Sequence, residues 1–600
     1  MTGASAKSLH ESDRVASLRL LAITDLHARL LPYDHDSDSP RPGSGLACLA
    51  GTIARARREV SASLLFDNGD TYQGDALGEI LARDMMRAEA QGLLAHPVAA
   101  ALGALGLDAA VPGNHDFDFG LDTLRAIARS APFPFVLTNL VAARGEGPLA
   151  DRPLLPPAVM LDRSLTLETG EVRPIRIGVL GLVPPGTPAR DPADPVARAE
   201  GRDLLATVEA WAPYLRGAGA DLVVSLCHSG LGPMHPRPGL EDAALLVAGH
   251  PQVDAVIAGH RHERHARPAA GGRAPLVAPA AHGRELGVID LRLAPRPGGG
   301  WRLAESAVDL RPADAAPGFE ARPVARIAAP AHARARALLS EVIGESAVAL
   351  QTYLARVRPL AATSLIAEAQ AAYARTEIGG GGLPLLSAAA PFKAGGAEGG
   401  EGFTHVPAGP IALRHVHDLY PYANRVSLRC LSGAEVRDWL ERAAVVFRPL
   451  GPGARDAPLL EPGSAGYDFD LIHGLRFSID LAAPAGERIR GLALPCGTPI
   501  APGARLHLVT NSFRAGAEDG FPSGAPVLEG GPLVRDILAD FIRQRGRLGP
   551  KLAAPGGWSF APLPGASAVF PVPEAARPFV EAEGLEWVGG SDGGLGRLRL

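Results

Sequence analysis

Two short strings carry the densest chemistry in this chain, Thr24-Asp25-Leu26-His27 and Gly113-Asn114-His115-Asp116-Phe117-Asp118. Each follows a short apolar run of β type, so each sets oxygen and imidazole donors just past a strand end. Three further runs end in the same way. Leu64-Leu65-Phe66 leads into Asp67-Asn68-Gly69-Asp70, and Leu222 to Leu226 leads through Cys227 to His228. Ala255 to Ala258 leads through Gly259 to His260 and His262. Mixed imidazole, carboxylate and amide donors suit a borderline divalent cation such as Mn, Fe, Zn or Co. A shared carboxylate can hold two cations about 3.5–4 Å apart, the spacing of two-metal hydrolytic sites. Asp70 is the bridging candidate. Taken singly, Asp-x-His or His-x-His fits an ordinary solvated turn. Five strand ends bearing such residues in one chain point to a binuclear centre. Gly69, Gly113 and Gly259 beside the donors are expected to let the backbone turn sharply. His265 reads as an exposed residue outside the ligand set.

Donors at strand ends need a sheet that presents them together. In an open α/β sheet, ligands bind beyond the carboxyl ends of the strands. Apolar β-type runs recur from residue 18 to about 290, with helical stretches at Leu46 to Val60 and Leu121 to Ala128 between them. That alternation predicts an α/β domain with buried sheets. Leu286 to Leu293 and Trp301 to Leu310 flank Arg296-Pro297-Gly298-Gly299-Gly300 and read as a closing hairpin. Residues 323–343 are rich in Ala, Arg and Leu and read as a helical connector. The second half opens with an amphipathic helix from Leu360 to Arg375. Glycine-rich loops follow at 379–382 and 395–402, then strands near Val426-Ser427-Leu428, Leu475 to Ile479 and Leu506 to Val509. The expected segmentation is a polar extension over 1–17, a catalytic α/β domain over 18–320, a helical linker over 321–345 and a second α/β domain over 346–600.

A length of 600 residues exceeds what one core supports. The net charge of −5 leaves no basic footprint for nucleic acid. No apolar run reaches the length of a membrane span. The first apolar run ends in Asp25 and His27, which makes it a core strand and no cleaved signal peptide; on sequence alone the expected compartment is the cytoplasm. Cys48, Cys227, Cys430 and Cys496 show no C-x-x-C spacing, which speaks against a zinc ribbon and against a disulfide framework.

Several stretches together resemble a known family. They are Thr24-Asp25-Leu26-His27 with Leu31-Pro32-Tyr33-Asp34, Leu65 to Asp70 with Gln73-Gly74, His96-Pro97-Val98, Gly113-Asn114-His115 and Cys227-His228-Ser229-Gly230. In the second half, Ala390-Pro391-Phe392-Lys393-Ala394-Gly395-Gly396 and Pro407-Ala408-Gly409-Pro410 add to them. The chain resembles the calcineurin-like metallophosphoesterases, more narrowly the 5′-nucleotidase family. Within it the likeness is greatest to the bifunctional 2′,3′-cyclic-nucleotide 2′-phosphodiesterase/3′-nucleotidase branch. The resemblance implies an N-terminal sandwich of two β-sheets flanked by helices, joined by a helical linker to a C-terminal α/β substrate domain. It implies two divalent metal ions, one held by Asp25, His27, Asp70 and His262 and the other by Asp70, Asn114, His228 and His260.

By the same resemblance His115 is the catalytic histidine and Asp118 its acidic partner, where the cyclic-nucleotide branch often has Asn. Tyr422 and Phe513 match the two rings that sandwich a nucleobase, with Tyr420 as the alternative to Tyr422. Asn424 and Asp519 match positions that contact base and ribose. Lys393, in a glycine-rich turn, is either a phosphate contact or an ordinary loop lysine. The implied reaction is hydrolysis of 2′,3′-cyclic nucleotides and 3′-nucleotides by a hydroxide bridging two metals, in a monomer, with rotation of the second domain about the linker. Family members are commonly periplasmic. The rival readings are a 5′-nucleotidase or nucleotide-sugar hydrolase on the same scaffold, and a catalytically silent nucleotide binder. The Pro391-Phe392-Lys393 block favours the cyclic and 3′ branch.

Overall fold

Strand β1 (Ala16–Ile23) is buried along nearly its whole length, as a strand covered on both faces must be. Its alternate residues Leu18, Leu20 and Ala22 face one core. The computed structural model describes residues 15–89, 96–187, 199–379, 382–395, 402–516, 520–522, 524–553, 557–590 and 595–600. The chain divides at Ala337/Leu338 into two compact units.

In the first unit, β1 pairs in parallel with β2 (Ser63–Asp67), which pairs in parallel with β3 (Ala109–Ala110). A second sheet is built on β4 (Ala158–Thr166), β5 (Val172–Leu182), β6 (Leu222–Cys227) and β7 (Ala255–Ala258). It is completed by β8 (His265–Arg267) and β9 (Leu276–Ala278), in the order β8-β9-β7-β6-β5-β4. The hairpin β10 (Glu285–Pro295) and β11 (Trp301–Pro312) closes the first sheet, giving β11-β10-β1-β2-β3. Ile175, Ile177 and Val179 of β5 and Leu222, Val224 and Leu226 of β6 meet the β1 face in one core. The odd-numbered partners Val223 and Cys227 turn the other way, against Leu204, Val208 and Leu215 of the helix Leu204–Gly217. Period-2 alternation thus builds a sandwich with helices outside. Truncating a fully buried member such as Leu20 to alanine should cost about 2–5 kcal/mol.

The helix Arg322–Leu339 is tied to the first unit by side chains. His332 Nδ1 meets buried His35 Nε2 at 3.0 Å, Arg334 pairs with Asp84 at 2.8 Å and Arg336 with Asp38 at 3.0 Å. The helix does not run on to residue 345 as composition suggests. Residues Val342–Ser346 form a strand because Gly409–Ala412 offers them an antiparallel partner, and pairing overrides the local helical preference.

The second unit contains a five-stranded mixed sheet. Its members are β12 (Leu385–Ala389), β13 (Val426–Ser432), β14 (Leu471–His473), β15 (Arg505–Asn511) and β16 (Ala525–Leu528), in the order β14-β12-β15-β13-β16. The helix Ala361–Ile378 packs on it together with Val534–Arg545. It is less amphipathic than expected. Ten of its residues are buried, and its interior amide Gln370 is satisfied by Ala388 O (2.8 Å) and Ser387 Oγ (3.1 Å). Residues 476–479 join a separate three-stranded sheet with Ile489–Ala493 and Trp558–Phe560. Among the described residues no helix is long and apolar enough to cross a membrane.

Candidate metal centre

The strand ends converge as their sequence pattern predicts. Asp25, His27 and His262 form one group, and Asp70, His228 and His260 a second; within each, one donor atom per residue lies within 4.8 Å of the others. The groups draw on both sheets, since Asp25 and Asp70 follow β1 and β2 while His228, His260 and His262 follow β6 and β7. Five of these residues adopt left-handed backbone, with φ of 51° at Asp25, His27 and Asp70, 75° at His260 and 55° at His262. Each such residue costs roughly 1–2 kcal/mol, and strain of this kind marks sites where the surroundings over-determine the backbone.

Of the neighbouring glycines, only Gly69 turns through positive φ (+90°). Gly113 and Gly259 have another reason to be small. A Cβ at Gly113 would collide with Asp70 Oδ1, and one at Gly259 with Thr24 Oγ1 and Asp25 Oδ2.

The second group is the more buried, with Asp70 and His228 in the interior and His260 partly exposed. Asp70 and His228 are 1% and 0% exposed and face each other at 3.1 Å (Oδ2 to Nε2). His228 Nδ1 lies 2.7 Å from Asn68 O, and a carbonyl only accepts, so Nδ1 carries the proton and Nε2 faces the group. Burial opposes a charge on His228, but the Asp70 carboxylate outweighs it and pushes its pKa up to about 9. Burial likewise works against the Asp70 charge, yet His228 and His115 hold its pKa well below the usual carboxylate range. Asp70 Oδ1 also accepts the His115 backbone N–H at 2.8 Å.

The first group is open on one side. His27 Nδ1 gives its proton to Gln73 O at 2.6 Å, which leaves Nε2 as a lone pair. That lone pair faces His262 Nε2 at 3.0 Å, and His262 Nε2 lies 3.6 Å from Asp25 Oδ1. Burial, reinforced by His262, pulls the His27 pKa down to about 4. A neutral imidazole, a second imidazole and a fully buried carboxylate aimed at one point are a donor set that fits a divalent cation. Asp25 is fixed by the Thr24 hydroxyl (2.6 Å) and the His260 backbone N–H (3.2 Å).

Asn114, fully buried, precedes the turn His115–Phe117. His115 Nδ1 lies 2.8 Å from Asp118 Oδ2, and both side chains are half-buried. The His115 ring centroid is 6.1 Å from that of His27. His265 pairs with Glu263 at 2.9 Å and joins neither group.

Two residues at the centre were not singled out from the sequence. Asp116, 2% exposed, accepts backbone N–H groups from Thr71 (2.9 Å), Tyr72 (2.8 Å) and Gly113 (2.8 Å), which ties the loops that carry Asp70 and Asn114. His282 places its ring beside His27 and His262. It follows the apolar run Leu276-Val277-Ala278, so the strand-end rule that marked the other donors also marks it.

In the second unit, the pairing of Val426 with Asn511 sets the segment bearing Tyr422 and Asn424 beside the one bearing Phe513, and Ser512 N–H donates to Arg425 O at 2.8 Å. Phe513 is 42% exposed. Tyr422 is half-buried, with its ring edge-on to Phe392 (5.3 Å) and Tyr467 (6.3 Å). Tyr420, the alternative to Tyr422, is 1% exposed, a core residue whose hydroxyl accepts from the Asn424 amide at 3.4 Å. Lys393 pairs with Asp418 at 2.7 Å. Asp519 lies outside the described residues.

Comparison with known proteins follows the same division. Residues 18–264 match the calcineurin-like phosphoesterase family, and residues 342–525 match the 5′-nucleotidase C-terminal domain. The chain is 31% identical over 606 residues to the trifunctional nucleotide phosphoesterase protein YfkN of Bacillus subtilis, a match covering 96% of this chain and 41% of that protein. It is 32% identical to the 2′,3′-cyclic-nucleotide 2′-phosphodiesterase/3′-nucleotidase of Salmonella typhimurium, covering 91% of this chain and 89% of that one. Its fold is shared with a putative 5′-nucleotidase from Staphylococcus aureus, with a TM-score of 0.73 at 18% identity over 91% of this chain and all of that one.

Proposed function

The chain belongs to the 5′-nucleotidase family of calcineurin-like phosphoesterases, and on that premise we propose that it hydrolyses nucleoside 2′,3′-cyclic phosphates to 3′-nucleotides, and 3′-nucleotides to nucleoside and phosphate. The observation that carries this reading is the juxtaposition of two donor groups with the His115–Asp118 pair, in a chain that matches a relative named for those two activities along nearly its full length.

In this reading Asp25, His27 and His262 would hold one divalent cation, Asn114, His228 and His260 would hold the other, and Asp70 would serve both. When bound, the pair supplies a Lewis acid for the phosphoryl oxygens and a nucleophile at neutral pH. Everything else falls to the chain's own residues. Asp118 takes the proton on His115 Nδ1 as a hydrogen bond, so Nε2 is the nitrogen that meets substrate. From there it stabilises the phosphoryl group or delivers a proton to the departing oxygen. For a cyclic substrate that oxygen is the ribose 2′-oxygen, and its departure leaves a 3′-phosphate. For a 3′-nucleotide it is the 3′-oxygen of the nucleoside. The two reactions share one phosphorus and one ribose, which lets a single centre perform both. Tyr422 and Phe513 hold the base by stacking, a contact indifferent to base identity. Lys393 is committed to Asp418, so we read it as a structural ion pair beside the substrate segment. Every residue invoked comes from one chain, and the proposal is for a monomer.

The test is nucleotide chromatography of reactions with 2′,3′-cyclic AMP, 3′-AMP and 5′-AMP in the presence of Mn. The expected course is transient 3′-AMP followed by adenosine from the cyclic substrate, adenosine from 3′-AMP, and slow turnover of 5′-AMP. Faster turnover of 5′-AMP than of both others would move the chain to the 5′-nucleotidase reading.

A further inference from the structure

One imidazole without an assigned role stands against the first donor group. His282 lies in the loop 279–284 between β9 and β10, with φ of +62°, a conformation that side chains other than glycine's avoid. Two backbone bonds hold it there. Its N–H donates to Asp25 O, and its own carbonyl accepts from Gly45 N–H, both at 2.7 Å. The contact that fixes its backbone is therefore made to a residue of the first group. Its ring centroid lies 5.4 Å from that of His27, tilted at 49°, and 5.7 Å from that of His262, near-perpendicular at 75°. Among the described residues no hydrogen bond reaches either of its ring nitrogens.

His27 and His262 differ in what restrains them. The His27 ring is fixed by the Gln73 carbonyl. His262 is 41% exposed, follows a left-handed backbone, and among the described residues has no such bond to its Nδ1. The rings that border it are those of His27, at 5.0 Å between centroids, and His282, at 5.7 Å. A strained residue held by its surroundings beside a donor group points to a role in that group.

We propose that His282 is a positioning residue for the first metal group, its ring packed against that of His27 and edge-on to that of His262 so that His262 Nε2 stays directed at the point His27 Nε2 faces. The inference rests on the proposed function only in requiring that the first group holds a cation. Partners that orient metal ligands typically contribute 10–100-fold to affinity.

The test is Mn binding to the metal-free full-length protein, by competition with a chromophoric chelator and by metal analysis, for wild type, His282→Ala and His282→Phe. Wild type should bind two equivalents. In His282→Ala one equivalent should weaken roughly 10–100-fold while the other keeps its affinity, which also reports that the fold is intact. His282→Phe should regain most of the loss, because it restores the ring. Two equivalents at wild-type affinity in His282→Ala would overturn the proposal. So would a His282→Phe protein as weak as His282→Ala, since a ring nitrogen would then be responsible. Fewer than two equivalents in wild type would instead remove the premise that the first group holds a cation.

Discussion

The two donor groups are built from the same kinds of residue at the same kind of position, yet one is the more buried and the other the more open. Asp70 and His228 are sealed in the interior, bonded to each other and to the backbone of Asn68 and His115. In the first group Asp25 is as deeply buried, but His262 stands 41% exposed on a loop. Burial keeps water from the second group, whereas the exposed His262 leaves the first in contact with solvent, and solvent access tunes how a site holds its cation. Depth along the strand ends, and not ligand type, is what separates them. His115 is positioned against both, by its backbone to Asp70 and by its ring beside His27.

That placement makes His115 the most sensitive position. His115→Ala should lower kcat by about 10²–10⁴-fold with metal content unchanged, measured by phosphate release and metal analysis on the same sample. Loss of metal in this variant would mean that the ring supports a group instead of acting on substrate.

Stability separates the groups next. In metal-free protein His228→Ala leaves Asp70 buried without its partner, and unfolding in urea should show a loss of about 3–5 kcal/mol. His262→Ala, at an exposed position, should stay within about 0.5 kcal/mol of wild type. Equal losses would erase the distinction between buried and open.

The groups should also respond oppositely to pH. Both histidines titrate near 6.5 in the unfolded chain, whereas in the folded metal-free protein His228 is pushed up to about 9 and His27 pulled down to about 4. Folded His228 keeps a proton that the unfolded chain releases, so its contribution is complete below about pH 6.5 and is lost as pH rises through about 9. Folded His27 lacks a proton that the unfolded chain binds, so stability falls as pH drops from about 6.5 toward 4. Urea midpoints across this range should peak near neutrality. His228→Gln should remove the alkaline decline and leave the acid one.

The smallest effect lies in the second unit. Phe513→Ala should raise KM in line with about 1–3 kcal/mol of stacking per base, with kcat nearly unchanged and both metal equivalents retained. A fall in kcat alone would separate Phe513 from substrate binding.

The strand-end donors were legible because each short apolar run stops at a carboxylate, amide or imidazole, and the fold gathers His and Asp donors from those stops into two groups. His282 obeys the same rule, four residues past the run Leu276-Val277-Ala278. Asp116 was visible inside its motif, while two of its three partners are backbone N–H groups of a distant loop, which no side-chain pattern announces. The aromatic neighbours of Tyr422 were not legible either, since Phe392 and Tyr467 reach it through tertiary packing alone. The connector departs from its helical composition past Leu339 for a related reason, because its last residues take their structure from a strand some 70 residues away in sequence. Tyr422 and Phe513 themselves came from family resemblance and not from any local chemistry.

The most direct test is a Mn titration of metal-free protein with hydrolysis of 3′-AMP followed in parallel. A tight first equivalent should leave the protein silent, and a weaker second equivalent should bring activity in proportion to its binding. Full activity at one equivalent per chain would contradict this.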